Sequence, residues 1–229
     1  MRRVAEILSL NLLSNLTTSP RLMKKVRGDT PLFKPVITVS RESGSGGRPI
    51  AEMVATALKF ELYDEKFIED IAKSTKRRAE LIRSIDEKAR DMVTDVLQSV
   101  LNPEYISDMT YIRHAAKVVL SRAHKGKVVF LDRGANFIVP SETALRVRIQ
   151  APYSARVTWA IKHEGIDLAR AKEVIRKFDI ERKEFVRQYF GKPISNANFY
   201  DLVLNTTHMT LEDARDLVVL AFKKKFRIK

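Results

Sequence analysis

The chain has 229 residues, 45% apolar and 31% charged, and its 42 Lys and Arg against 28 Asp and Glu give a formal net charge of +14. That profile fits a soluble α/β domain with an appendage, and no apolar run approaches the ~20 residues of a membrane span. Cysteine is absent, which excludes disulfides and thiolate chemistry and sets the expectation of a reducing, cytoplasmic setting, while the positive excess suits a polyanionic ligand such as a nucleotide or nucleic acid.

Residues 1–35 read as an extension ahead of the domain proper at 36–229. Val4 to Leu13 predict an amphipathic helix and not an export signal, because Glu6 and Asn11 interrupt the apolar stretch and no small-residue cleavage site follows. Ser19-Pro20, Gly28-Asp29-Thr30-Pro31 and Pro35 then punctuate the chain. Val36-Ile37-Thr38-Val39-Ser40 is a β-branched run expected to form a buried strand. A glycine-rich turn follows at once, and Ile50, Val54, Ala57 and Leu58 continue at helical spacing. Phe60 to Tyr63 reads as a second strand.

From about residue 65 to 125 the pattern is helical. An apolar stripe runs from Leu81 to Val100, and Asn102-Pro103 marks a helix boundary. Strands are expected at Val128–Leu131, Leu145–Ile149 and Asp201–Asn205. Helices are expected from Tyr153, from Asp167 to about Tyr189, and after the capping box Thr210/Asp213. Strands alternating with helices imply a mostly parallel sheet covered on both faces. The lysine-rich tail Lys223–Lys229 reads as solvated charge.

The chemistry concentrates at Ser43-Gly44-Ser45-Gly46-Gly47-Arg48. A glycine turn between a strand and a helix N-terminus presents backbone N–H groups and the positive end of the helix dipole to a phosphate. Arg48 adds a permanently charged fork, expected to act catalytically by standing in part for the lysine of a phosphate-binding loop. The P-loop pattern G-x-x-x-x-G-K-[ST] is not met: Arg41 falls on its first glycine, Gly47 on its lysine and Arg48 on its hydroxyl residue. His114, His124, His163 and His208 are scattered without metal-ligand spacing, so no protein-held metal site is expected.

The stretch Ile37-Thr38-Val39-Ser40-Arg41-Glu42-Ser43-Gly44-Ser45-Gly46-Gly47-Arg48-Pro49-Ile50-Ala51 resembles the phosphate loop of the cytidylate kinase-like family. The resemblance continues at Tyr63-Asp64, Asp132-Arg133-Gly134-Ala135-Asn136-Phe137-Ile138, Phe178-Asp179 with Arg182, and Tyr200 to Thr206, covering roughly residues 36–220. It implies a P-loop nucleoside-monophosphate kinase fold with a five-stranded parallel sheet, a helical insertion at about 65–125 and an arginine-bearing lid. By the same resemblance, Ser43 to Arg48 hold the phosphates of ATP, Asp64 and Arg133 hold the acceptor, and Arg182 and Arg187 close over the γ-phosphate. Arg176 shares a helix face with Arg187, and Asp179 is expected to steady Arg182 through a local ion pair. Cytidylate kinases proper carry Gly-Arg-Asp where this chain has Asp132-Arg133-Gly134, so the acidic residue after the arginine is missing.

The expected activity is ATP-dependent phosphoryl transfer to a nucleoside monophosphate, a CMP- or dCMP-like pyrimidine acceptor being favoured, with Mg²⁺ held by phosphates and water. Two alternatives stand beside it. Loss of the P-loop lysine and hydroxyl fits a degenerate protein that binds nucleotide without transferring phosphate. The basic surface fits a nucleic-acid-binding protein, although no aromatic-interleaved basic motif is present.

Overall fold

Five short aliphatic runs become the strands of one sheet: β1 (Val36–Arg41), β2 (Glu61–Tyr63), β3 (Val128–Leu131), β4 (Ala144–Gln150) and β5 (Leu202–Asn205). The computed structural model describes residues 33–84, 93, 96 and 109–228. The strand order is β2-β3-β1-β4-β5 and every neighbouring pair is parallel. Residues 36–40 of β1 and all of β3 are buried, so both strands are apolar throughout and do not alternate. From β1 the chain runs to one edge of the sheet and later returns past β1 to the other edge. A crevice therefore opens beyond the carboxyl end of β1, the place where open parallel sheets bind ligands.

Eight α-helices are described: α1 (Gly47–Leu58), α2 (Glu65–Lys73), α3 (Thr75–Arg83), α4 (Met109–Lys125), α5 (Ala135–Ile138), α6 (Tyr153–Glu164), α7 (Leu168–Phe190) and α8 (Leu211–Phe226). The main core joins Ile37, Val39, Val129, Val147 and Ile149 of the sheet to Ile50 and Val54 of α1 and Val218 and Phe222 of α8. Phe60 meets the Phe222 ring edge-on at 5.5 Å, which fixes α8 against the α1–β2 connection.

Local sequence sets the helix ends. Asp64, Ser74, Asp167 and Thr210 are N-caps whose side chains accept from the first free backbone N–H groups of α2, α3, α7 and α8. The expected box is formed: Thr210 accepts from Asp213 N–H at 3.0 Å and donates to the Asp213 carboxylate at 2.6 Å. The helical stretch after Tyr63 breaks at Ser74, which ends α2 and starts α3. Val93 and Val96 of the apolar stripe are buried helical positions. The rest of that stripe beyond residue 84, the Asn102-Pro103 boundary and the N-terminal helix expected at Val4–Leu13 lie outside the described residues.

The basic C-terminal segment is largely exposed, as expected, but part of it is helical and anchored. Helix α8 runs through it, and Lys225 Nζ donates to Ser141 C=O at 2.9 Å, Ala144 C=O at 2.7 Å and Asp201 at 2.8 Å. Asp201 also accepts from the Arg146 backbone N–H and guanidinium, both at 2.8 Å, which clamps the start of β5 to β4. Partial burial alone would raise the Asp201 pKa. The hydrogen bonds from Arg146 and Lys225 outweigh it and hold the carboxyl at about 2. A depressed carboxylate pKa adds stability above its unfolded-state value, and that stability is lost as pH falls toward the folded value. Asp201→Asn should therefore lower the unfolding free energy at neutral pH by roughly 1 kcal/mol, less than the full pKa shift because the residue is partly solvent-screened. Urea titrations at stepped pH should show the gap from the parent closing between about pH 4 and 2.

Candidate active site

β1 delivers the glycine turn to the crevice, and α1 opens at Gly47 with Gly46 as its N-cap in the left-handed region. The first helical bond is from Ile50 N–H to Gly46 C=O at 3.1 Å. The N–H groups before it have no intrahelical partner and face the crevice end of the helix, where the dipole favours an anion. Gly44 has φ 76°, and a Cβ there would stand 2.7 Å from the Arg156 carbonyl oxygen. At Gly47 a Cβ would collide with the Arg41 side chain, at 2.5 Å from its Cβ. Two glycines are therefore demanded by backbone and side-chain neighbours before any ligand is considered.

The turn is braced from three directions. Thr206, just past β5, donates to Ser45 C=O at 2.9 Å, and Ser45 Oγ donates to Glu42 C=O at 2.8 Å. Asp179 on α7 accepts from Ser43 N–H at 2.8 Å and from Arg156 Nη1 at 2.5 Å, and Arg156 also donates to Ser43 C=O at 3.0 Å. Glu42 accepts from Arg148 Nη2 and from Ala151 N–H, both at 3.2 Å.

Beside the turn, Asp132 directly follows β3 with φ 65°, and its N–H donates to Val39 C=O at 2.9 Å. It is 6% exposed, and a carboxylate so buried needs counter-charge. Arg182 Nε donates to its Oδ2 at 3.1 Å, and Arg41 Nε lies 3.1 Å from the same oxygen. Ser40, Asp132, Arg133, Gly134, Phe178 and Arg182 are among the residues lining a cavity here. Arg133 faces it with its guanidinium paired to Glu69 of α2 and 5.1 Å over the Phe185 ring.

Arg48 pairs with Asp64 at 3.0 Å and approaches Glu52 at 3.7 Å. Asp64 thus caps α2, through Phe67 N–H at 2.8 Å, and also holds Arg48. Partial burial would raise its pKa, but the bonds from Phe67 N–H and Arg48 prevail and keep the carboxyl below the usual range.

The structure brings Ser43 to Arg48 together with Asp64, Arg133, Asp179 and Arg182 around this end of the sheet. Two of the residues expected there stand elsewhere. Arg187 is exposed and paired with Glu184 outside the cavity, and Arg176 lies 5.9 Å over the Tyr153 ring of α6. The expected Asp179–Arg182 pair is not what the structure shows. Asp179 is taken by Ser43 N–H and Arg156, while Arg182 turns to Asp132, whose deep burial makes the stronger demand for a cation. Sequence reasoning assigned no role to Arg41, Glu42, Asp132, Arg148 or Arg156. The available signals were an acid directly after a wholly apolar strand and arginines inside a buried one, at Asp132 and Arg148.

Residues 36–208 match the cytidylate kinase-like family. The chain belongs to that family. It is 26% identical over 194 residues to a cytidylate kinase of Staphylothermus marinus, covering 83% of this chain and 97% of that one. A cytidylate kinase of Pyrococcus horikoshii is 26% identical over 193 residues, covering 83% and 90%. An uncharacterized protein from Eubacterium ventriosum has a similar solved fold, with a TM-score of 0.64 at 17% identity over 83% of this chain and 99% of that one. The fold is an α/β fold on a parallel five-stranded sheet, and family membership supports nucleotide-kinase chemistry. Among the described residues no helix is long and apolar enough to cross a membrane.

The close approach at Gly44 makes a direct forecast. Gly44→Ala must carry a side chain at positive φ against a backbone oxygen, so it should destabilise the fold by about 1–3 kcal/mol. Chemical denaturation of parent and variant reads the difference; equal midpoints would show that the turn relaxes freely.

Proposed function

We propose that this protein transfers the γ-phosphoryl group of ATP to a nucleoside monophosphate, with a pyrimidine nucleotide as the acceptor. One observation carries the reading: the glycine turn lies at the carboxyl end of central β1 and opens α1, and Arg133 and Arg182 face a cavity beside it. Family membership supports the reaction class, and the names of the archaeal relatives support the pyrimidine.

In this reading an acceptor phosphate oxygen attacks the γ-phosphorus as the bond to the β,γ-bridging oxygen breaks, leaving ADP and a nucleoside diphosphate. The protein supplies position and electrostatics with no covalent intermediate. The turn from Ser43 to Arg48 cradles the donor phosphates through the backbone N–H groups at its helix end, Gly46 to Arg48, with the Arg48 guanidinium beside them. Arg133 clamps the acceptor phosphate, held ready by Glu69 and Phe185. Asp64 orients the acceptor and positions Arg48. Arg182 is the lid cation over the transferring group, a role its place in the cavity favours over Arg187.

Magnesium enters as part of the donor. Arg48 replaces the P-loop hydroxyl, the buried Asp132 carboxylate is already engaged by Arg41 and Arg182, and no metal-binding cluster of acids and histidines occurs among the described residues. These side chains do not fit a protein-held metal site, and no step above is routed through one.

A coupled assay of ADP release across CMP, dCMP, UMP, AMP and GMP tests the proposal. Cytidine nucleotides should exceed the purines in kcat/KM by about tenfold or more. Arg182→Ala should lower kcat by about a hundredfold or more, because it removes charge stabilisation from the transferring group. A parent that transfers to no monophosphate, yet is stabilised by ADP, would instead mark a nucleotide-binding protein without transferase activity. The missing lysine and hydroxyl at Gly47 and Arg48 are the observation behind that second reading.

A further inference from the structure

The P-loop pattern places a lysine where this chain has Gly47, and that lysine carries charge to the β- and γ-phosphates. Position 47 has no side chain, yet the space is not open. The stem of Arg41 crosses it, with Cβ, Cδ and Cγ at 2.5, 2.9 and 3.3 Å from where a Gly47 Cβ would stand. Arg41 is the last residue of β1, so its stem reaches the first turn of α1 from the strand side, and its side chain is 12% exposed. Space that a lysine stem at position 47 would need is filled by an arginine stem from six residues earlier.

The guanidinium end is held as well. Arg41 Nε and Arg182 Nε converge on Asp132 Oδ2, each at 3.1 Å. Two guanidinium groups thus meet on one buried carboxylate beside the glycine turn. Arg182 Nη1 is buried with no hydrogen-bond partner, and Arg182 and Asp132 both line the cavity. A buried guanidinium N–H without a partner has a strong demand for an anionic oxygen.

We propose that Arg41 binds the β- and γ-phosphates of the nucleotide donor in place of the P-loop lysine, with Asp132 positioning it beside Arg182. The proposal rests on the nucleotide-kinase reading above and adds the residue that supplies the donor-side charge. It also accounts for Gly47: any side chain there would displace the Arg41 stem. Asp132 acts through the arginines as a positioning residue.

Calorimetric titration of the full chain with adenosine, AMP, ADP and ATP tests it. Arg41→Gln keeps a stem across Gly47 and removes the charge. It should weaken ADP and ATP by about ten- to a hundredfold while leaving adenosine and AMP unchanged, since neither carries a β-phosphate. A residue needed only for the fold would shift all four ligands together. The double variant Arg41→Ala/Gly47→Lys clears the stem and restores a lysine at the position of the P-loop pattern. It should bind ADP and ATP at least tenfold more tightly than Arg41→Ala. If Arg41→Gln binds ADP and ATP as the parent does, or the double variant gains nothing over Arg41→Ala, the assignment of Arg41 is wrong and the nucleotide site stands. If the parent binds none of the four, the kinase reading fails and the assignment falls with it.

Discussion

One buried carboxylate organises the end of the sheet where the chemistry is placed. Asp132 directly follows β3 with its own N–H donating to β1, and its side chain gathers Arg41 from β1 and Arg182 from α7. A charge in that position is tolerable only while paired, and removing one partner of such a set costs more than the set contributes. The strand that carries the glycine turn, the strand beside it and the long helix over the crevice are thereby tied to one another. The arrangement holds two guanidinium groups beside the glycine turn.

A second set of contacts makes the same connection from the other side of the turn. Asp179 takes Ser43 N–H and Arg156 at once, so α6 and α7 are both fastened to the loop they face. The two helices also bury Val157, Ala160, Ala171 and Ile175 against each other, so the contacts with the turn act on an already packed pair. The net charge of +14 reads differently in this light. Arg148 and Arg156 are buried in the braces of the turn, and Lys225 ties α8 to the sheet. Part of the cationic excess is internal structure and not an exterior field.

The fold was readable because its signals are local. β-branched runs marked β1 and β3, Thr210 and Asp213 marked the start of α8, and strand–helix alternation implied the parallel sheet. The glycine turn was readable for the same reason, since strand, turn and helix are contiguous. What escaped was non-local. Arg182 lies three residues from Asp179, and local spacing suggested a pair, whereas each side chain answers a partner far away in sequence, at Asp132 and Ser43. Arg41 was read as an oddity at a glycine position because nothing in the sequence reveals that its stem crosses Gly47. Arg187 was expected to share the role of Arg182 although the two are offset on the helix, and in the structure only Arg182 lines the cavity.

The central claim is that nucleotide phosphates sit on the glycine turn at the start of α1. Selective ¹⁵N-glycine labelling tests it directly, because the chain has 8 glycines and several lie away from the turn. On titration with ADP, the amide signals of Gly44, Gly46 and Gly47 should move most, with Gly134 following at the edge of the cavity. Gly126 and Gly165 should stay in place. Saturable binding that shifts those two and leaves Gly44, Gly46 and Gly47 unmoved would contradict the account.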